Sequence, residues 1–387
     1  MSRCRVLVLS PVPIEGAGFR FRIGQYIPTL EQQGFQVTAS PFFTADFFSV
    51  VYASGRWLTK LRLFLRQTAR RVAELAGSRQ YDVFLVYREA FPIGPPLFER
   101  LLVAITGRPI VYDFDDAIFL PNASHANRIV SALKWYQKVS TIIGMSDQTI
   151  AGNEYLASYA RTRTSAVHVI PTSVDTTKFT PGSPSGRSRP DGPIVGWIGS
   201  HSTTKYLRSL GPVLAEVRRA QPFSLYVAGT DAPIEVDGVE VTSATWDLDR
   251  EVEDFQRCDV GVYPLWDDPW AQGKCGFKAI QFMACGVPVV AAAVGVNCEI
   301  IEDGVNGFLA ANEREWIEKL TRLLADGRLR ESMGQAARRT VEARYSLAVN
   351  GPRFAAALRQ AVDHAGGGRA GHRDRDTPPK TPSAQRP

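Results

Sequence analysis

Residues 273–307 have the sequence GKCGFKAIQFMACGVPVVAAAVGVNCEIIEDGVNG, and this stretch decides the fold. Small residues form a turn that precedes a predicted helix at 276–285. The apolar run at 287–293 predicts a buried strand, and a second glycine-containing loop follows it. A helix leading directly into a buried strand is typical of a parallel α/β sheet.

Two lysines and a glutamine cluster at the start of this predicted helix. Lys274, Lys278 and Gln281 are spaced three and four residues apart, so a helix places them on one stripe. Ammonium groups beside a helix N-terminus attract an anion, because the unpaired backbone N–H groups and the helix dipole already favour negative charge there. The sequence therefore predicts a diphosphate site. The alternative is a structural helix with solvated lysines.

The stretch resembles the C-terminal signature of glycosyltransferase family 4, which comprises retaining sugar-nucleotide enzymes of the two-domain GT-B fold. Residues 283–290, MACGVPVV, match the family's Met-Ala-x-Gly-x-Pro-Val-Val run. The family's two glutamates, eight positions apart, fall here on Gly273 and Gln281. The resemblance implies the scaffold and a nucleotide site, in which Gln281 can still bond ribose hydroxyls. The donor sugar would then be held elsewhere, for example by Asp267 or Asp268, or turnover would be impaired.

Length and composition are those of a globular chain with two domains. The 387 residues are 44% apolar and carry a formal charge of +6, and a domain typically has about 150 residues. The five cysteines are scattered and form no Cys-x-x-Cys pair, which favours a reducing cytosol over disulfides or zinc. Since no apolar run approaches the roughly 20 residues of a membrane span, we expect a soluble or peripheral protein.

Residues 56–72 form a predicted basic amphipathic helix. Six basic residues and no acid occur between positions 56 and 71, namely Arg56, Lys60, Arg62, Arg66, Arg70 and Arg71. Their opposite side collects the apolar residues Trp57, Leu58, Leu61, Phe64, Leu65 and Val72. This pattern is consistent with a helix lying on an anionic membrane surface. The alternative is a helix packed on its own sheet with a solvated outer face. Nucleic acid is not expected as a partner, because the basic cluster is local.

Strands alternate with helices along the chain, which predicts two parallel sheets. The predicted strands are 5–10, 35–39, 83–87, 109–112, 148–151 and 166–170, then 194–198, 224–228, 260–263, 287–293 and 307–310. We expect an N-terminal Rossmann-like acceptor domain at 1–175, a linker at 176–192 and a C-terminal nucleotide-sugar domain at 193–344. A helix at about 345–362 would cross back to the first domain, and the polar tail at 366–387 would be disordered.

The fold class predicted is therefore α/β of the GT-B type, with two Rossmann-like domains facing a central cleft. Ligands of such sheets bind at the carboxyl ends of the strands. Family resemblance places Lys205 at the donor diphosphate and puts Trp197 where the family has an arginine. The predicted donor-binding residues are Gly16, Gly18, Ser200, His201, Gly229, Thr230, Gly276, Phe277, Lys278, Gln281 and Glu299. Surface-loop, plain-turn and helix-start roles are the alternatives for His201, Gly229 and Glu299, respectively.

Acidic and basic side chains follow the strands of the first domain. The run YDFDD at 112–116 places three carboxylates at one strand end, where burial is costly unless they bind something. Asp115 or Asp116 can act as general base on the acceptor hydroxyl; a divalent ion or a structural helix cap is the alternative. The predicted catalytic residues are Asp115, Asp116, Lys205 and Lys274. The predicted acceptor-binding residues are Arg20, Arg22, Arg88, Glu89 and Asp113.

These features together predict a glycosyltransferase that moves a sugar from a nucleoside-diphosphate sugar to a hydroxyl acceptor. The resemblance implies retention of anomeric configuration. Lysines and a helix end can meet the leaving-group charge, so we expect no metal or other cofactor. A cytoplasmic location, with peripheral membrane association through 56–72, is expected. The alternatives are a non-catalytic sugar-nucleotide binder or partner subunit, and a GT-B-fold epimerase. A dehydrogenase is least favoured, because the glycine fingerprint is incomplete.

Overall fold

The computed structural model describes residues 3–51, 55–121, 135–182, 192–230 and 232–371. Most of the predicted linker, at 183–191, and the tail beyond 371 lie outside the described residues. Within them the chain forms two parallel α/β units, so the expectation of two parallel sheets is confirmed.

The first unit is built on a parallel sheet in which β1 lies between β2 and β3. The described strands follow the order β2-β1-β3-β4-β5-β6. Their bounds are β1 Cys4–Ser10, β2 Phe35–Pro41, β3 Val83–Tyr87, β4 Ile110–Phe114, β5 Gln148–Ala151 and β6 Val167–Val169. The central strands β3 and β4 are buried along their whole length, which explains their continuous apolar sequences.

Helices cover this sheet and carry several of the site residues. Their bounds are α1 Ala17–Arg22, α2 Ile27–Gln32, α3 Ala45–Val51, α4 Trp57–Gly77, α5 Leu97–Thr106, α6 Lys138–Met145 and α7 Glu154–Arg161. Asn153 caps helix α7: its side chain accepts a hydrogen bond from the Leu156 N–H and so satisfies one of the free donors of the first turn.

The second unit repeats the architecture, with described strands in the order β12-β11-β10-β7-β8-β9. Their bounds are β7 Ile194–Ile198, β8 Ser224–Ala228, β9 Glu240–Ala244, β10 Val260–Tyr263, β11 Val289–Ala292 and β12 Phe308–Ala310. Strand β9 was not predicted. It is an edge strand of sequence EVTSA with no buried residue, so its composition gives little hydrophobic signal.

The helices of the second unit include the one predicted from the opening stretch. The bounds are α8 Thr204–Ser209, α9 Gly211–Ala220, α10 Glu251–Gln256, α11 Pro269–Gln272, α12 Phe277–Ala284, α13 Asn297–Ile300, α14 Glu313–Ala325, α15 Gly327–Arg344 and α16 Leu347–Gly371. Gly286, with φ +69°, turns the chain from α12 towards β11, a conformation that favours glycine.

Helix α16 returns from the second unit to the first. Its Phe354 ring stacks on Tyr26 at 4.6 Å, and Arg353 donates a hydrogen bond to the Val169 carbonyl at 2.8 Å. The helix ends at Gly371, and the expectation of a disordered tail stays a prediction.

Helix α4 corrects part of the sequence prediction. Arg71 was placed on the solvated basic side, but it is buried and donates to the carbonyl oxygens of Ser10, Ser40 and Ala90. The predicted apolar side is largely exposed instead, with Leu58 at 85% and Trp57 at 76%. Phe64 of the predicted apolar side contacts the rings of Phe42 and Phe91, so the helix is packed on its own unit, but through a side that includes buried polar residues.

Candidate functional site

A cleft of about 680 Å³ opens between the two units. It lies where the carboxyl ends of β1 and β4 face those of β7, β8 and β10, the usual ligand position of parallel sheets. Predicted residues lining it include Gly16, Gly18, Asp115, Asp116, Ser200, Gly229, Lys274, Gly276, Phe277 and Lys278. These predicted residues come from five separate segments of the chain.

The N-terminus of α12 points two lysines into this cleft. Gly276 precedes the helix with φ +64° and, among the described residues, no side chain caps it. Lys274 and Lys278 both line the cleft. Burial lowers the pKa of Lys278 to about 8. An anion that neutralises this partly desolvated ammonium would recover the cost of burying its charge.

The loop before α12 is attached to the first unit. Asn153 donates to the carbonyl oxygens of Gln272 at 3.2 Å and Lys274 at 3.0 Å. The Cys275 thiol donates to the Asp115 carbonyl at 3.1 Å. The diphosphate-binding element predicted in the second unit is therefore positioned by the first.

Asp115 and Asp116 are held by one arginine. The Arg88 Nε donates to Asp115 at 2.8 Å, and its Nη2 donates to Asp116 at 2.6 Å. Tyr87 donates its hydroxyl to Asp115 at 3.0 Å. Arg88 has φ +59°, unusual for a residue with a Cβ. A strained backbone that persists at a strand end is typical of functional sites.

The two carboxylates differ in their surroundings. Asp115 accepts from both Arg88 and Tyr87, whereas Asp116 is bonded to Arg88 and lies close enough to Lys274 to feel its charge. Burial raises the pKa of Asp116, and Arg88 opposes that shift. A carboxylate of raised basicity at the cleft wall is suited to accepting a proton.

Arg22 and Asp113, both predicted as acceptor contacts, are paired with each other. Both side chains are fully buried, and Arg22 is one of the residues that line the cleft, whereas Asp113 is not. Arg22 donates to both Asp113 oxygens and to the Ile170 carbonyl. Because a bidentate pair of this kind satisfies both charges, the pair fixes β4 against α1.

Arg20 and Glu89 also have protein partners. Arg20 forms a bidentate ion pair across the domains with Glu251, at 3.2 and 3.3 Å. Its guanidinium also lies 5.3 Å from the Trp246 ring centroid, and Trp246 lines the cleft. Glu89 is paired with Lys138. Arg20 therefore belongs to the domain contact rather than to an open acceptor site.

Several predicted donor contacts lie away from the cleft lining. Gln281 is fully buried and accepts from Lys278 at 2.9 Å. The Thr230 hydroxyl is bonded to Thr204. Lys205 covers the rings of Tyr206 and Trp266 at 4.9 and 4.8 Å. His201 and Glu299 are exposed outside the lining, so their donor contacts, like that of Lys205, stay predictions.

Sequence reasoning missed four lining residues of chemical interest: Tyr206, Trp246, Glu251 and Tyr263. Tyr263 ends strand β10, so its strand-end position was a signal that could have found it. Trp246 and Glu251 follow the unpredicted strand β9 and lacked any such signal.

Two further findings concern metals and membranes. Nowhere in the described ranges do three His, Cys, Asp or Glu side chains come together as a metal site would require. Of the helices in those ranges, none has the length and apolar character to cross a membrane.

Comparison with solved structures identifies the fold. Sucrose-phosphate synthase from Thermosynechococcus elongatus superposes with a TM-score of 0.71 at 18% identity, covering 94% of this chain and 100% of the other. HepE from Anabaena, in complex with UDP-glucose, gives 0.67 at 18% identity, covering 92% and 99%. The chain therefore has the GT-B glycosyltransferase fold.

The second unit also matches a family model. Residues 192–326 match "Glycosyl transferases group 1". A D-inositol 3-phosphate glycosyltransferase of Stackebrandtia nassauensis is 27% identical over 231 residues, 52% of this chain and 50% of that protein. One from Salinispora arenicola is 36% identical over 87 residues, 22% and 18% of the two chains. The chain thus spans half or less of the length of these curated relatives.

Proposed function

We propose that this protein is a retaining glycosyltransferase that moves a sugar from a nucleoside-diphosphate sugar to a hydroxyl acceptor. The observation that carries the proposal is the pair of lysines, Lys274 and Lys278, at the open N-terminus of α12 inside the cleft. The match of residues 192–326 to the glycosyl transferases group 1 model supports it.

The donor diphosphate would lie against α12. As the glycosyl–oxygen bond breaks, negative charge grows on the leaving phosphate. A cation at about 4 Å is worth roughly 4 kcal/mol at an effective dielectric near 20, and fixed donors that meet such charge are usually the largest catalytic contribution. Two lysines and the helix N–H groups can meet this charge, so we propose that the reaction needs no metal.

The acceptor would approach from the side of the first unit. Its hydroxyl oxygen forms the new bond to the anomeric carbon while the old bond to the diphosphate breaks. The hydroxyl proton passes to the departing phosphate, as in the family that the signature resembles, or to Asp116. Arg88 holds Asp116 beside Lys274. Closure of the cleft would exclude water and so limit hydrolysis of the donor.

We propose a cytoplasmic location, with contact to an anionic membrane through residues 56–72. All five cysteines are unpaired, as is usual in a reducing compartment. The exposed apolar residues of α4 support the membrane contact.

The test is a thermal-shift screen of the purified protein against UDP-, GDP-, ADP- and dTDP-sugars, followed by product analysis with the nucleotide that binds. We expect one donor to raise the melting temperature and Lys274→Met with Lys278→Met to abolish the shift. Flat curves throughout would overturn the proposal. Binding without hydrolysis or transfer would indicate the non-catalytic binder instead, and sugar isomerisation without acceptor would indicate an epimerase.

A further inference from the structure

Helix α4 is packed with its polar side towards the protein. Gln67 and Arg71 are 2% and 1% exposed, and Arg71 is bonded to three backbone carbonyls and to Glu74. Leu61 and Leu65, on the opposite side, are 54% and 57% exposed. A helix in water normally buries its apolar stripe. In α4, Phe64 contacts Phe42 and Phe91 of the first unit, but the rest of the apolar stripe, with Leu61 and Leu65, stays exposed.

The neighbouring helix α5 exposes a second apolar stripe. Leu97, Leu101 and Ile105 are spaced four residues apart and therefore share one face, and each is more than a third exposed. The two helices are in contact, since the Arg71 guanidinium lies 5.8 Å from the Phe98 ring centroid. Each of the two adjacent helices thus exposes apolar residues, and exposed apolar patches are typical of interaction sites.

Exposed basic residues border this surface on α4. Arg62 and Arg66, each exposed, directly follow Leu61 and Leu65 of the apolar stripe. A second copy of the chain seated on this face would bring like charges together, whereas a layer of lipid phosphates would complement them.

We propose that the exposed faces of α4 and α5 form one docking surface for an anionic lipid bilayer. The apolar residues Trp57, Leu58, Leu61 and Leu65 enter the boundary between headgroups and acyl chains, and the arginines bind lipid phosphates. The residues of α5 make a second contact that fixes the orientation of the docked protein.

Docking would place one wall of the cleft near the lipid. Helix α3, which precedes α4 in the chain, lines the cleft with Ala45, Phe48 and Ser49. Phe42, between β2 and α3, contacts Phe64 of α4 at 5.5 Å between ring centroids. Docking would bring the cleft to acceptors held at the membrane, and this benefit alone rests on the proposed function. Docking itself needs neither donor nor acceptor.

The experiment is flotation with vesicles of phosphatidylcholine alone and of phosphatidylcholine mixed with phosphatidylglycerol. We expect the protein to float with the mixed vesicles only, and less so at high salt. The double variant Leu61→Glu/Leu65→Glu should lose at least about tenfold in vesicle affinity. The double variant Leu97→Glu/Leu101→Glu should also lose vesicle affinity, but less. Val305→Glu, on an exposed apolar residue of the second unit, is the matched control and should float like wild type.

The proposal is overturned if the protein does not float with the mixed vesicles, or if the Leu61→Glu/Leu65→Glu variant floats undiminished. A concentration-dependent dimer that this variant dissociates would assign the face to a second copy and also overturn it. Thermal unfolding of each variant checks that it is folded. Donor-induced thermal shifts are measured in parallel, so that failure of docking with an intact donor shift is distinguished from failure of the proposed function.

Discussion

Gly273 of the second unit packs directly on Ala117 of the first: a Cβ atom built on Gly273 would lie 2.5 Å from the Ala117 Cβ and 2.8 Å from its backbone nitrogen. The signature that the chain resembles has a glutamate at this position. Here the space that such a side chain would need is occupied by the segment that follows Asp115 and Asp116. The close contact between the two domains at this point therefore requires that position 273 carry no glutamate side chain.

Restoring the glutamate should therefore impair the protein. Gly273→Glu is expected to force the domains apart, lowering the free energy of unfolding by about 1–3 kcal/mol as overpacking does and weakening transfer. Gly211→Glu is the matched control, because a Cβ there meets nothing within 4 Å. Unfolding by urea and the transfer rate are the measurements. Higher activity in Gly273→Glu would contradict the packing argument.

Lys278 and Lys205 should behave differently. Lys278 lines the cleft. Lys205 is not among the lining residues, and its ammonium lies over the rings of Tyr206 and Trp266. Lys278→Met should weaken nucleotide binding by about tenfold or more, which corresponds to ~1.4 kcal/mol, and Lys205→Met should change it little. Titration calorimetry with the nucleoside diphosphate measures both. Equal losses would show that Lys205 reaches the diphosphate after all.

Donor binding should weaken as the pH rises through about 8. The pKa of Lys278 is lowered to about 8 by burial, so its charge is largely present at pH 7 and largely lost by pH 9. The bound diphosphate favours the charged form, so linkage raises this pKa in the complex. Affinity measured across that range should fall in wild type. It should remain level in Lys278→Arg, because arginine stays charged.

The same group should act in the opposite direction on the stability of the free protein. Its pKa in the folded chain is lower than the ordinary value of 10.5 in the unfolded chain. Between pH 8 and 10.5 the unfolded chain therefore binds the extra proton, and the contribution of Lys278 to the free energy of unfolding rises with pH. A rise in wild type relative to Lys278→Met over this window is the expected observation.

The ion pair between Arg20 and Glu251 should couple the two units energetically. Glu251 is 2% exposed and is also approached by Lys178 at 3.6 Å. Removing either partner leaves a buried charge, so Arg20→Ala and Glu251→Gln should each destabilise the protein. A double-mutant cycle should give a coupling free energy of about 1–3 kcal/mol. Additive effects would mean that the pair contributes nothing across the domain boundary.

Asp113 should matter for folding rather than for catalysis. Asp113→Asn leaves the fully buried Arg22 without a counter-charge, and breaking such a pair typically costs about 3–5 kcal/mol. We expect a lower urea midpoint with unchanged Km values in the protein that remains folded. A selective loss of acceptor affinity at full stability would restore the interpretation of Asp113 as an acceptor contact.

Much of the fold could be predicted because its strands are buried on both faces. Val83–Tyr87 is an apolar run between Asp82 and Arg88, Ile194–Ile198 is one between Pro193 and Gly199, and the structure has both with the predicted bounds. Glu240–Ala244 is an edge strand with a polar sequence, so its pairing with β8 depends on a neighbour that the local sequence does not reveal.

The site could be predicted only in part. Strand ends and glycine turns identified Asp116, Ser200 and Lys278, because those positions must lie at the sheet edge that faces the cleft. Which charged residues face a ligand, and which face one another, depends on packing between the two units. Arg22 and Asp113 have the same residue types and similar positions relative to the strands as the other charged residues near the cleft, yet they neutralise each other.

The return of α16 to the first unit has a consequence for the way the whole chain melts. Tyr26 and Phe354, more than three hundred positions apart in sequence, stack within one core, so the first lobe is not completed until α16 has been synthesised. A chain ending before residue 347 should accordingly lose the order of the first lobe, which calorimetry would record as a lost or lowered transition.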